Sequence, residues 1–293
     1  MWPSKFGLFT DFCSARPLVR KGEISLSSLI QQLAPILERE TWLLALDRDG
    51  TLVPIVDDPA EAVIQDSART TVLALAEEPG VHVALVSARG LAGLREDLDP
   101  GRVILAGSYG LEISFANGQK FIEPTASRAV PRIRELRQAL SNLLAEETRV
   151  IVEDHTVSLC IHWHNVSEDQ RPLVHAAVAK LQPAYPDLYF KLMPTSYEIQ
   201  PEVSWDKGCA LAEIEKTLAL ESEKTAYVYA GDFHTDEPAF RWVNSRGGAS
   251  IKVGVSGSTA ARSHLATPAH LWHLLEELVI FRRSHNAAQA RRS

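Results

Sequence analysis

The sequence predicts an α/β fold, in which a Rossmann-like parallel sheet has helices on both faces and carries an inserted α+β unit. Four short apolar runs lack the alternation of half-exposed strands, and helical patterns separate them along the chain. Each of these runs ends in small or polar residues, which is where open α/β sheets bind ligands. In the middle of the chain, a hairpin signal followed by mixed helical and strand-like segments predicts the insertion.

The elements of the predicted sheet follow one another in a regular order. A helix over 25–39 precedes the strand 42–46, and a second helix over 66–77 is ended by Pro79 and Gly80. We predict further buried strands at 81–86, 103–106, 226–230 and 250–255. Helical segments between parallel strands predict that the sheet is covered on both faces.

The insertion spans residues 114–201, and it begins with Asn117 and Gly118 as a hairpin turn. Helices are predicted at 129–146 and 170–181, and strands over 149–163, 188–192 and 197–199. The predicted domains are an N-terminal extension over 1–25, a discontinuous core over 26–113 and 202–280, the insertion, and a disordered basic tail over 281–293.

Composition limits the function classes. The 293 residues carry a formal net charge of −7, which argues against general nucleic-acid binding. Three cysteines without metal-like spacing are typical of a reduced, cytosolic chain. No apolar run approaches the length of a membrane span, and the N-terminus lacks a signal-peptide core. We expect a cytoplasmic protein that binds neither membranes nor nucleic acid, and that is a monomer or a small homo-oligomer.

Asp47 and Asp49 directly follow the first predicted strand and are the most informative pair in the chain. Residues two apart on an extended chain point the same way, so the two carboxylates converge on one small volume. They repel each other unless a cation or a shared proton intervenes, and Mg²⁺ prefers such oxygen ligands. One carboxylate could then attack an electrophile. The alternative is a turn with two solvated aspartates.

Three other strand or helix ends carry polar groups. Ser87 follows a buried strand, where its hydroxyl and nearby N–H groups suit a phosphoryl oxygen, although serine is also a common N-cap. Lys207 lies in a first helical turn after Ser204 as the expected N-cap, where it either faces an anion or points to solvent. Asp232 and Asp236 follow the strand 226–230 as a metal ligand and a supporting group, or as an acidic loop.

In this order at the strand ends, the set resembles the haloacid-dehalogenase superfamily of phosphatases. The resemblance implies that Asp47 attacks phosphorus to form an aspartyl-phosphate and that Asp49 is the acid/base. It implies that the phosphoryl group is bound by Ser87, Ala88, Arg89 and Lys207. It also implies that Mg²⁺ is held by Asp47, the main-chain carbonyl of Asp49 and Asp232, with Thr51 and Asp236 in support.

Longer segments resemble the trehalose-6-phosphate phosphatase family over residues 41–278. They are 47–54, 107–112, 152–154 with Ser158, Leu159 and His162, 198–201, 205–208 and 231–237. In that family the insertion is a cap that closes over the core and grips the sugars. The resemblance therefore implies a small-molecule sugar phosphate, most directly trehalose 6-phosphate, as the substrate. The cap residues expected to contact it are Glu153, His155, His164 and Glu198.

The chain departs from that family at five positions. Phe233 stands where a second Asp is usual, Tyr109 where His is common, His155 and Pro194 where Lys is usual, and His164 where Arg is usual. A neutral histidine does not replace a lysine or arginine. Two alternatives therefore stay open: a phosphatase of a different phosphorylated disaccharide, pseudo-disaccharide or other sugar phosphate, and a non-catalytic phosphosugar-binding protein. The second does not explain Asp49, because binding alone needs no acid/base.

Strand alternation over 158–164 places Ser158, Cys160, His162 and His164 on one face. The intervening residues are apolar, so we expect one packed face and one wet face rather than a metal site.

Overall fold

The structure is a computed structural model that describes residues 26–56, 61–145, 149–255 and 257–291. The predicted extension over 1–25 lies outside the described residues. A large sheet of eight strands has the order β12-β11-β10-β1-β2-β3-β4-β5. Its strands are β1 (Thr41–Leu46), β2 (Val81–Val86), β3 (Ile104–Gly107), β4 (Glu112–Ser114), β5 (Lys120–Ile122), β10 (Thr225–Gly231), β11 (Ala249–Val253) and β12 (Ser263–Leu265).

The six strands from β12 to β3 are parallel, while β4 and β5 are antiparallel. Helices cover both faces, as predicted. One face packs against α1 (Leu26–Leu37), α2 (Asp66–Glu77), α3 (Leu91–Asp97) and α8 (Pro268–Ala290). The other packs against α6 (Lys207–Thr217) and α7 (Glu237–Ser245). Successive residues of β1 alternate between these two cores, which explains why its apolar run has no polar gaps.

The inserted segment forms a second sheet with the order β6-β7-β9-β8, all antiparallel. Its strands are β6 (Ile151–Asp154), β7 (Leu159–His162), β8 (Leu188–Leu192) and β9 (Ser196–Pro201). One face packs against α4 (Pro124–Leu143) and α5 (Arg171–Leu181) around an apolar cluster of its own. The four-stranded sheet is called the small sheet below.

The hairpin at Asn117 and Gly118 forms where it was predicted, but it belongs to the large sheet. Its first strand, β4, pairs with β3 through Leu105–Ser114, Ala106–Ile113 and Gly107–Glu112. The prediction that the insertion begins at residue 114 is therefore wrong, because the chain leaves the large sheet only after β5.

The predicted disordered tail over 281–293 is also wrong for residues 281–290, because α8 continues to Ala290. The Arg282 side chain is 3% exposed and donates to the main-chain oxygens of Pro79, Arg39 and Glu40. The Nε of Arg283 donates to Glu78 at 2.7 Å. Arg282 and Arg283, whose charge suggested a solvated end, instead form hydrogen bonds to the α2–β2 turn and to the residues just before β1.

Within the described ranges, every helix is too short or too polar to cross a bilayer.

Candidate active site

The carboxyl ends of β1, β2 and β10 bring three predicted residues to one edge of the large sheet. Asp47 continues β1, and its N–H donates to the Ala230 oxygen at 2.9 Å. Ser87 continues β2 in the same way, because its N–H donates to the Ala106 oxygen at 2.9 Å. Asp232 follows β10 directly. Three neighbouring parallel strands thus aim their polar ends at one volume, as the sequence predicted.

Lys207 joins this group from the start of α6. Its Nζ donates to Asp47 Oδ1 at 2.5 Å and to Asp236 Oδ1 at 2.6 Å, and its side chain is 2% exposed. The helix N-cap is Asp206, whose carboxylate accepts from the Cys209 N–H at 2.9 Å, so the prediction of Ser204 as N-cap is wrong. Of the two placements predicted for Lys207, the structure has the one that faces anions.

Burial and neighbouring charges oppose each other in this cluster. Burial raises the pKa of Asp47 well above its ordinary 3.8, and Asp236 and Asp232 add to the rise while Lys207 opposes it. Burial lowers the pKa of Lys207, but the two carboxylates outweigh it and keep that pKa above its ordinary 10.5. Two ammonium groups, Lys207 and the Lys252 that contacts Asp232, therefore face three carboxylates, and the site keeps an excess of negative charge that a further cation would stabilise.

Asp236 is fully buried and fixes the loop that carries Asp232. Its Oδ1 accepts from Lys207 Nζ and from the Tyr229 hydroxyl, both at 2.6 Å. Its Oδ2 accepts from the N–H groups of Asp232 at 3.0 Å and Phe233 at 2.9 Å. Four hydrogen bonds occupy both oxygens, so Asp236 is a positioning group for Lys207 and for the loop.

The donor set fits a hard divalent cation. Asp47, Asp232 and Asp236 each present an oxygen within 4.8 Å of the others, and Asp236 is already engaged by protein donors. Thr51 Oγ1 donates to Asp47 Oδ2 at 3.1 Å and lies 3.4 Å from Asp232 Oδ1. A Cβ built on Gly50 would clash with the Asp232 carboxylate, so the glycine leaves room for this carboxylate beside the turn after β1. Asp47, Asp232 and the Asp49 carbonyl are the groups that would hold Mg²⁺.

Asp49 is held by two arginines. Arg89 forms a bidentate pair with it, at 2.8 Å from Nε and 2.9 Å from Nη2. Arg48 Nη1 donates to Asp49 Oδ1 at 2.6 Å. The Nε and Nη2 atoms of Arg48 donate to the Asp97 carboxylate at 2.6 and 2.9 Å. The buried Arg48–Asp97 pair thus anchors the Asp49 side chain, which is 42% exposed.

Ser87 and its two successors form the turn after β2, which is called the phosphate corner here because these residues are the ones expected to bind a phosphoryl group. The Ser87 side chain is 1% exposed, and its Oγ accepts from the Arg89 N–H at 3.2 Å. Ala88 and Arg89 line the adjoining cavity. Arg89 therefore lies where it was expected, although its guanidinium pairs with Asp49.

A cavity of about 280 Å³ lies between the large and small sheets, and it is called the inter-sheet cavity here. From the large-sheet side it is lined by Asp49, Arg89 and Tyr109, and from the small sheet by Glu153, His155 and Glu198. Part of the cavity wall is apolar and is formed by Pro54, Ile55, Leu159 and Ile199. A mostly apolar cleft with a few convergent polar groups is the usual form of a small-molecule site.

Glu153 is the centre of a charged cluster on the small sheet. His155 Nε2 and His162 Nε2 each lie 3.2 Å from Glu153 Oε2. Hydrogen bonds from the two rings lower the pKa of Glu153. Burial opposes charge on His162, but Cys160 and Glu153 outweigh it and raise the pKa of His162 to about 10. The direction of this shift favours the protonated form of the His162 ring beside Glu153.

Tyr109 connects the two sheets from a strained turn after β3. Ser108 and Tyr109 have φ values of 49° and 60°, which cost non-glycine residues on the order of 1–3 kcal/mol each. The Ser108 N–H donates to the Arg89 oxygen and the Tyr109 N–H to the Ser87 oxygen, both at 2.8 Å. The Ser108 and Ser158 hydroxyls are 2.7 Å apart, and the Tyr109 hydroxyl donates to Glu198 Oε2 at 2.7 Å.

The structure brings together all but one of the residues predicted for the site. His164 is the exception: it is not among the described residues that line the cavity, and its Nε2 lies 3.0 Å from Asn165 Nδ2. His162, two residues earlier in the chain, lines the cavity. Sequence reasoning also missed Arg48 and Tyr109. The departure at Tyr109 was a usable signal, because that residue follows a strand that ends at the site.

A family model described as Trehalose-phosphatase matches residues 45–269. Trehalose-phosphate phosphatase B of Arabidopsis thaliana is 33% identical over 256 residues, which cover 82% of this chain and 67% of the plant protein.

Two solved structures share the fold. The C-terminal domain of trehalose-6-phosphate phosphatase from C. albicans has a TM-score of 0.68 at 20% identity, covering 88% of this chain and 97% of that one. The C-terminal domain of the Candida albicans trehalose synthase regulatory protein has a TM-score of 0.62 at 12% identity, covering 86% and 98%. At these identities the likeness concerns the fold alone.

Proposed function

The chain belongs to the trehalose-phosphatase family of phosphatase hydrolases, and from that premise we propose that it hydrolyses trehalose 6-phosphate to trehalose and phosphate. The observation that carries the proposal is the buried group formed by Asp47, Lys207 and Asp236, with Asp232 and Ser87 at the adjoining strand ends. A protein that only binds a sugar phosphate has no need of an anionic centre placed against a phosphate corner.

Asp47 is the proposed nucleophile. One of its carboxylate oxygens forms a bond to phosphorus while the bond from phosphorus to the sugar oxygen breaks. Lys207 Nζ and Thr51 Oγ1 hold the Asp47 carboxylate in one orientation, which reduces the freedom that must be lost before attack. The proposed donors to the phosphoryl oxygens are Lys207, the Ser87 hydroxyl and the N–H and guanidinium groups of Ala88 and Arg89.

Asp49 is the proposed acid and base. It gives a proton to the departing sugar oxygen, and it then takes a proton from the water that attacks the aspartyl-phosphate, releasing phosphate and restoring Asp47. In the structure the Asp49 carboxylate is held by Arg48 and Arg89. An incoming phosphoryl group competes with Asp49 for Arg89, so substrate binding leaves Arg48 as the remaining arginine on the Asp49 carboxylate.

Mg²⁺ is the proposed cofactor, held by Asp47, Asp232 and the Asp49 carbonyl. When bound, it offsets the charge on the phosphoryl oxygens during transfer. The excess of carboxylates over ammonium groups supports this choice, as does the glycine at position 50, which makes room for Asp232.

The small sheet is the proposed cap, which holds the sugar and excludes water until the leaving group departs. Glu153 and Glu198 supply acceptors for sugar hydroxyls, and His162 supplies a cation. His155, His164 and Pro194 remain departures from the family, and they favour a second candidate within the same class. That candidate is a phosphatase of another hydroxyl-rich sugar phosphate.

The test is phosphate release from a panel of sugar phosphates, with Mg²⁺ and after its removal by a chelator, for wild-type protein and Asp47→Asn. We expect turnover of trehalose 6-phosphate only with Mg²⁺, and none from Asp47→Asn. Asp169→Asn is the matched control, because Asp169 is exposed and outside the inter-sheet cavity.

Each other outcome contradicts one part of the proposal. Turnover of other sugar phosphates but not of trehalose 6-phosphate would support the proposed mechanism and contradict the proposed substrate. Folded protein that binds sugar phosphates without releasing phosphate would favour a binding protein. Full activity in Asp47→Asn would remove the nucleophile.

A further inference from the structure

We propose that Tyr109 is a specificity-determining residue, which fixes Glu198 to accept one hydroxyl group from a polyol leaving group. The inference rests on the proposed function and adds a residue to it. Tyr109 and Glu198 line the same cavity as Asp49, and they reach it from different sheets. A contact between them therefore links the phosphate corner to the surface that faces the alcohol part of the substrate.

The turn that carries Tyr109 is tied to the phosphate corner. Its N–H donates to the Ser87 oxygen at 2.8 Å, and its own oxygen accepts from Trp205 Nε1 at 3.3 Å. Tyr109 and Ser108 hold left-handed backbone conformations, which persist only where the surroundings fix them. The position of the phenol is therefore set by the same strand ends that position Ser87 and Arg89.

The phenol in turn fixes the Glu198 carboxylate. Its hydroxyl donates to Glu198 Oε2 at 2.7 Å, and Lys191 Nζ lies 3.5 Å from the same oxygen. Among the described residues, both contacts fall on Oε2, which leaves Oε1 to accept from a ligand. Lys191 also lies 5.8 Å from the centre of the Tyr109 ring, which keeps the three side chains together.

The chemistry of the pair identifies the ligand group. Burial and the adjacent Glu198 raise the pKa of Tyr109, so the phenol keeps its proton and donates to Glu198 Oε2. A carboxylate oxygen held in one direction selects a hydroxyl donor at one position of the ligand. The matching substrate class is a phosphomonoester whose leaving alcohol carries further hydroxyl groups.

The test compares wild-type protein with Tyr109→Phe on trehalose 6-phosphate and on phenyl phosphate, whose leaving group offers no further hydroxyl. We expect Tyr109→Phe to raise KM for the sugar phosphate about tenfold, or about 1.4 kcal/mol, with kcat within about twofold. The kcat/KM for phenyl phosphate should not change.

Tyr197→Phe is the matched control. It makes the same chemical change in the small sheet and removes a hydrogen bond of similar length, 2.9 Å from the hydroxyl to His175 Nδ1, outside the cavity. We expect it to leave both substrates unaffected, while circular dichroism shows that both variants are folded.

Two results would overturn the role of Tyr109: an equal loss on both substrates, and no change on either. Failure of the proposed function is separate, because it shows in the wild type as no turnover of trehalose 6-phosphate. In that case KM and kcat of wild-type protein and Tyr109→Phe are compared on the sugar phosphate that the wild type prefers. Wild-type turnover of phenyl phosphate alone would overturn both proposals.

Discussion

Asp236→Asn tests the account of the buried cluster, because it keeps the shape of the side chain and changes its hydrogen bonding. The carboxylate receives four donors, two on each oxygen. An asparagine at this position keeps one acceptor oxygen for Lys207 and Tyr229. Its NH₂ group would then face the N–H groups of Asp232 and Phe233, which it cannot satisfy.

The expected magnitude follows from those two donors. Each of the two part-buried N–H groups left without an acceptor costs up to about 3 kcal/mol, while Lys207 keeps Asp47 as its ion-pair partner. The effects overlap, so we expect Asp236→Asn to lower the free energy of unfolding by about 2–5 kcal/mol. Activity should fall as well, because the loop that carries Asp232 loses its anchor.

The assay is urea denaturation followed by tryptophan fluorescence, with Tyr229→Phe as the graded comparison. Tyr229→Phe removes one of the four donors and should cost only about 1 kcal/mol. A loss below about 1 kcal/mol in Asp236→Asn, or an equal loss in both variants, would refute this account of the loop.

Two further predictions follow from single contacts. Gly50→Ala places a Cβ against Asp232 Oδ2, so it should raise the Mg²⁺ concentration needed for half-maximal activity. Gly118→Ala is the control, because Gly118 has nearly the same left-handed φ (84° against 83°) but open space around it. It should not change the Mg²⁺ concentration needed for half-maximal activity. An equal rise in both variants would show that backbone strain, and not the contact with Asp232, causes the effect. Burial raises the pKa of Glu112 from 4.5 to about 6, against the opposing charges of Arg95 and His155, and no described residue forms a hydrogen bond with its Oε1. The folded protein therefore binds a proton that the unfolded chain releases, and stability falls as pH rises from about 4.5 to about 6. Glu112→Gln should raise the midpoint of thermal unfolding at pH 8 more than at pH 4, and equal shifts at both pH values would contradict it.

The buried strands could be predicted because burial on both faces leaves a continuous apolar run. Val81–Val86 was predicted with its observed bounds for that reason. The end of α8 could not be predicted, because Arg282 finds its acceptors about 200 residues away in sequence. The sheet that holds the hairpin depends on the pairing of β4 with β3, which no local pattern reveals.

The candidate site could be predicted where it depends on strand ends, since parallel strands bring those ends together. Arg48 was missed because alternation aims it away from Asp49, yet a long side chain can turn back to it. Tyr109 was missed because its contact with Glu198 depends on a left-handed turn that bulky residues rarely adopt.

The most direct test of the central claim is to look for the phosphoryl group on Asp47. Asp49→Asn can neither protonate a sugar leaving group nor activate water, so the substrate is 4-nitrophenyl phosphate, whose leaving group departs without a proton. After mixing with this ester and Mg²⁺ and quenching in acid, the variant should carry a phosphoryl group on the peptide that contains Asp47. Peptide mass spectrometry of the quenched protein measures this, with Asp47→Asn as the blank. Phosphate attached to Asp47 is the predicted result, and turnover with the phosphoryl group found on another side chain would contradict the account.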